Sequence, residues 1–185
     1  MATTPLSLVK EILEDLEYPV QLEPATEPAP FERLRVTIGV DAVNRPLVAQ
    51  MLFLNDVALA QAGAEDQDET KDAILLQFMV LLPQRVETAH FGSVIDYLTQ
   101  INRIVTVGAF GLSRPDGTVY FQYALALPER EVDDNVLIEV IQMVDFFVKK
   151  FVDEINQIGT GSLTVEAALA HMVEEGITPP PLADV

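Results

Sequence analysis

Val107-Gly108-Ala109-Phe110-Gly111-Leu112, then Arg114-Pro115-Asp116-Gly117, then Thr118-Val119-Tyr120-Phe121-Gln122-Tyr123-Ala124-Leu125, is the stretch on which the fold turns. Pro115 fixes its own φ, and Gly117 accepts a positive φ at no steric cost, so the four middle residues form a tight turn. The flanking runs are then the two arms of an antiparallel hairpin. Pro128 stops the second arm, and Asp133 or Asp134 is placed to cap a helix beyond it.

Outward from the hairpin, helices are expected on both sides. Upstream, a helix begins at Glu87-Thr88 and carries Phe91, Val94, Ile95, Leu98 and Ile101 at helical spacing, with Gln100 to Arg103 closing it. Downstream, a long helix runs from about 134 to 158. Its apolar face includes Leu137, Val140, Ile141, Val144, Val148, Val152 and Ile155, and Met143 and Phe146 widen it past a single stripe. A helix apolar over so much of its circumference is either buried on two sides or part of a subunit interface. Met143, Phe146, Phe147 and Phe151 are the candidate partner-binding or dimer-interface residues.

Nearer the N-terminus, Thr4 caps a helix with Pro5 in its first position, and Leu6, Val9, Ile12, Leu13 and Leu16 form its apolar side. Tyr18-Pro19 ends it. A strand-like fragment at Val20 and Leu22 leads into a loop holding Pro24, Pro28 and Pro30, which suits no central strand. Leu34, Val36, Ile38 and Val40 alternate with polar or small residues, as a strand with one buried face does. Two nearly continuous apolar runs follow, Leu47 to Leu54 and Ala73 to Leu82, and both are expected to be strands. Gln50 and Gln77 occupy comparable places in them. After the break at Gly159-Thr160-Gly161-Ser162, a short amphipathic helix carries Val165, Ala168, Leu169, Met172 and Val173. Gly176 is placed to cap it, and Pro179-Pro180-Pro181 ends regular structure.

The chain has 185 residues and a formal net charge of −18, with 49% hydrophobic residues. That length and apolar content suit one domain with a real core. The charge excludes a nucleic-acid-binding role and an anionic membrane surface, both of which demand a basic face. It favours either plain solubility or attraction of basic partners or divalent cations. With no cysteine there are no disulfides, zinc thiolates or cysteine nucleophiles. No signal peptide or membrane-spanning run is legible, so a cytoplasmic location is expected.

Chemistry is hard to place. His90 and His171 lie in separate elements, each without a second ligand at i and i+4. Ser93 and Ser113 sit in no nucleophile elbow, and Gly108 to Leu112 lacks the phosphate-loop spacing. The acidic loop Gln61 to Thr70 resembles a calcium loop only in charge, because Lys71 stands where the required glycine belongs. No catalytic residue, metal or cofactor is expected.

The element order helix, three strands, helix, two strands, helix resembles the α+β fold of type III secretion chaperones, and within it the YbjN-like bacterial proteins. The resemblance rests on Tyr97-Leu98-Thr99-Gln100-Ile101-Asn102 leading into Val107 to Leu112, on Asp116 to Tyr120, and on Ala124 to Glu131 ahead of the last helix. It covers most of residues 5–158 and is sharpest over 97–155. It implies a secretion chaperone-like domain over 1–158, with an antiparallel sheet packed on helices and a linker and tail over 159–185. It further implies a non-enzymatic homodimer, chaperone-like or a regulatory adaptor, that binds a segment of a partner protein. The alternative is a small-molecule or cation sensor, or an enzyme, with a carboxylate-lined pocket.

Overall fold

The computed structural model describes residues 5–27, 29–57, 74–128 and 132–178. The cap expected at Thr4, the acidic loop at 61–70, residues 129–131 and the prolines at 179–181 lie outside the described residues. In chain order the elements are α1 (Pro5–Asp15), β1 (Val20–Glu23), β2 (Arg33–Val40), β3 (Pro46–Phe53) and β4 (Ile74–Arg85). After them come a 3-10 turn (Thr88–His90) running into α2 (Phe91–Ile101), β5 (Ala109–Ser113), β6 (Thr118–Leu127), α3 (Asp134–Gly159) and α4 (Val165–Glu174).

The strands form one antiparallel sheet in the order β1-β2-β3-β4-β6-β5. The mixed α+β class and the order of elements agree with the sequence reading, with two refinements. The fragment at Val20 and Leu22 is a full edge strand, because pairing Val20 with Val36 and Leu22 with Leu34 turns both side chains onto the core face. β4 continues past Pro83 to Arg85, with an irregular register between Leu81 and Arg85. Proline cannot donate to the ladder, so the strand survives it only through such an irregularity.

The hairpin is built as its turn chemistry demands. Gly117 has φ +70°, its N–H donates to the Ser113 carbonyl at 2.8 Å, and a Cβ there would lie 2.5 Å from the Val86 carbonyl oxygen. Asp116 accepts the Thr118 hydroxyl at 2.7 Å, and Arg85 donates to the Asp116 carbonyl at 2.8 Å, which ties the turn to β4.

One face of the sheet carries the core. Successive registers place Leu34 beside Met51, Met51 beside Phe78, and Phe78 beside Tyr123. Phe53, Phe78, Phe121, Tyr97 and Phe151 are fully buried in this layer, under α1, α2 and α3. Burying a side chain of that size contributes about 1.5–3 kcal/mol, whereas an exposed ion pair contributes roughly 0–1 kcal/mol. The sheet–helix layer therefore holds the fold, and the ion pairs trim it. The tail helix α4 joins the same core: Ala168 and Met172 are fully buried, and α4 packs on α2.

Candidate functional site

Two surfaces stand out, one on each side of the molecule. The first is the outer ridge of α3. Asp133 caps this helix, accepting from Asn135 N–H at 2.9 Å and Val136 N–H at 3.2 Å. The four aromatic and methionine candidates on it then part company. Phe151 is 1% exposed and packs edge-on against Phe110 with ring centroids 6.0 Å apart. Phe147 is 8% exposed, and Met143 is half-buried against the core. Phe146 is 59% exposed. Of the four residues expected at an interface, the helix turns Phe147 and Phe151 inward to the chain's own core and leaves Phe146 facing out.

Phe146 borders a shallow concavity of about 410 Å³, lined also by Gln142, Asp145, Lys149 and Lys150. The spacing of Phe146, Lys149 and Lys150 at i, i+3 and i+4 sets them on one face of the helix. Lys149 pairs with Asp145 at 2.7 Å, and Lys150 pairs with Glu175, the residue just past α4. The stem of Lys149 lies over Gly39 at the β2 bulge, where a Cβ would sit 2.4 Å from the lysine Cε. Burial, and next the charge of Asp145, push the Tyr18 phenol above its ordinary pKa.

The second surface is the face of the sheet turned away from the helices. Its cross-strand rows run Gln50–Met79–Gln122–Ala109, Leu52–Gln77–Ala124, Leu75–Ala126 and Leu81–Tyr120–Gly111. Across the outward positions of β3, of β4 from Leu75 to Leu81, and of β6 from Tyr120 to Ala126, no residue is charged. None of these side chains is fully buried, Leu81 is 46% exposed, and no described helix lies over them. The Tyr120 ring lies across Gly111, where a Cβ would be 2.5 Å from the ring. Charge appears only at the rim. There Glu23 joins Arg33 and Arg35, and the hydrogen bond from Arg33 holds its carboxyl below the usual range.

Groups able to do chemistry are few and already engaged. The Tyr97 phenol on α2 donates to Glu154 on α3 and lies 3.7 Å from the Met172 sulfur on α4. His171 Nδ1 is 3.9 Å from the same Glu154. This junction joins three helices. His90 packs instead against Gly161. Among the described residues no three His, Asp or Glu side chains are grouped to hold a metal ion. Asp145 is the one carboxylate lining either of the two concavities described; the other, of about 230 Å³, is lined by Pro19, Val20, Gln21, Arg35, Thr37 and Val48. No helix among the described residues is long and apolar enough to cross a membrane.

The bare sheet face was missed in sequence. The one signal was the matched placement of Gln50 and Gln77 in otherwise apolar strands, and those two side chains do fall in adjacent rows of the open face.

Residues 67–157 match the model of the YbjN family, described as "Putative bacterial sensory transduction regulator". The match takes in β4, the hairpin, α2 and α3 to Gln157, including the Phe146 ridge. No curated protein matches the chain.

Proposed function

We propose that this chain, a YbjN-like bacterial protein, is a non-enzymatic regulatory adaptor that binds a basic amphipathic segment of a partner protein on the outer ridge of α3. The observation that carries the proposal is Phe146, 59% exposed at the lip of a concavity. A large aromatic side chain left out of a core that has absorbed its neighbours Phe147 and Phe151 is an anchor point for an apolar side chain. The net charge of −18 supports a cationic occupant, since that field draws basic segments toward the chain and repels acidic ones. Lys149 and Lys150 do not oppose it, because each is already paired with a carboxylate. The family description of a sensory transduction regulator supports a regulatory role. The cytoplasm is the compartment this reading assigns.

A photo-crosslinking amino acid placed at 146 of the full chain, in bacterial cells, tests it. The segment captured is identified by mass spectrometry, synthesised, and titrated by fluorescence anisotropy against the wild type and Phe146→Asp. The expected result is a segment rich in Lys or Arg, binding that weakens with salt, and a loss of about tenfold or more in Phe146→Asp. Equal binding by both chains, or an acidic captured segment, overturns it.

A further inference from the structure

We infer that the face of the sheet left open by the described helices is the docking surface for a second copy of this chain, giving a two-fold dimer with sheet packed on sheet. The inference is independent of the Phe146 ridge, which lies on the far side of the helical layer.

Charge is the first argument. With 29 acidic and 11 basic residues, two copies repel each other over most of their surfaces. The outward rows through Gln50, Leu52, Gln77, Met79, Leu81 and Gln122 hold no charge, so here the copies meet without bringing carboxylates together. A core depleted of charge inside a charged rim is the composition of an interface.

Chemical self-match is the second. A two-fold interface sets the same patch against itself, so each group must suit its own kind. Glutamine carboxamides both donate and accept, and can therefore pair with glutamines across the axis. Leu52, Met79 and Leu81 of one copy can bury those of the other, as on the inner faces of two sheets packed face to face.

Size is the third. Three strands, β3, β4 and β6, with seven residues each, and the five residues of β5, at about 4.8 Å spacing and about 3.3 Å per residue, give a footprint of roughly 410 Å². That is over half of the roughly 800 Å² that each side of a standard interface buries. The remainder falls on the charged rim.

Light scattering and sedimentation of the full chain across a concentration series supply the test. Wild type is expected at the mass of two chains. Leu81→Glu combined with Gln122→Glu alters two exposed side chains and sets like charges in the centre of the patch. It should raise the dissociation constant by about tenfold or more, with the circular dichroism spectrum unchanged. Phe146→Asp should leave the dimer intact while weakening binding of the segment at the α3 ridge, so the two readings fail separately.

Because the chain has no cysteine, spin labels on Leu81→Cys or Phe146→Cys report inter-copy distances without depending on a destabilising variant. The 81–81 distance should be much the shorter. A wild type that stays monomeric, a dimer unaffected by Leu81→Glu with Gln122→Glu, or a shorter 146–146 distance overturns the inference.

Discussion

Asn102 holds Phe110 by both of its backbone groups. Its carboxamide Nδ2 donates to the Phe110 carbonyl at 3.0 Å, and its Oδ1 accepts the Phe110 N–H at 2.8 Å. β5 is an edge strand, paired on its other side with β6, so the side chain of a residue just past α2 completes the ladder where no strand follows. An unpaired edge is a template for unwanted strand addition, and this clamp blunts it.

Asn102→Ala should therefore lower stability by about 1–2 kcal/mol, the net worth of two hydrogen bonds. Urea unfolding measures the loss. Hydrogen exchange at the Phe110 amide should accelerate more than exchange at its neighbours; an unchanged Phe110 rate would remove the clamp from the account.

Tyr97 contributes in a pH-dependent way. Burial first, and then the hydrogen bond to Glu154, raise its phenol well above the ordinary value of 10.0. The folded chain therefore keeps the proton where the unfolded chain releases it. The associated stability is complete below pH 10 and is lost as pH rises beyond it. Tyr97→Phe should cost about 1–2 kcal/mol at neutral pH, and its deficit against wild type should narrow in alkali. Denaturant midpoints across that range give the comparison, and a constant deficit would count against the assignment.

Asp41 shows the opposite sign. Burial alone would raise its carboxyl, but the Arg45 N–H at 2.9 Å, the Arg45 guanidinium at 2.7 Å and the Val43 N–H at 3.1 Å outweigh it and hold the group below 3.8. Its stabilisation is present above the ordinary carboxylate range and is lost as pH falls through the lowered folded value. Asp41→Asn should cost about 2 kcal/mol at neutral pH, as for a charge-assisted hydrogen bond. The two proteins should converge in acid. Thermal melts at neutral and acid pH test this directly.

The tail helix is part of the core, so its two neighbouring residues Met172 and Val173 should behave differently. Met172→Ala empties a fully buried site and should cost about 3 kcal/mol. Val173, 62% exposed, should accept Ser within about 0.5 kcal/mol. Thermal unfolding ranks the two, and protease cleavage near Gly161 should quicken only in the Met172 variant.

Much of the fold was legible because its signals are local. Pro115 and Gly117 specify their turn from within four residues, and Asp133 caps α3 by bonding N–H groups two and three residues on. The amphipathic spacing of α1 and α2 also holds in the fold: Leu6, Val9 and Leu13, and Val94, Leu98 and Ile101, are buried, with Tyr97 beside them. The strands β3 and β4 were recognisable as strands, but their apolar runs concealed which alternate residues face the helices. Both parities read as hydrophobic, and only pairing with β2 and β6 separates Met51 and Phe78 inside from Leu52 and Met79 outside.

The candidate surfaces were least legible for the same reason. A helical face of Met143, Phe146, Phe147 and Phe151 is one continuous arc in sequence. Where the sheet and α2 cover that arc depends on residues far away in the chain, and their placement leaves Phe146 alone outside. The Tyr97–Glu154–Met172 junction and the uncharged sheet face likewise join residues distant in the chain. Turn geometry, capping and hydrophobic period are short-range properties that the order of residues settles directly. Which side chains the core consumes, and which it leaves for a partner, is settled by packing alone, because burial belongs to the neighbours as much as to the residue.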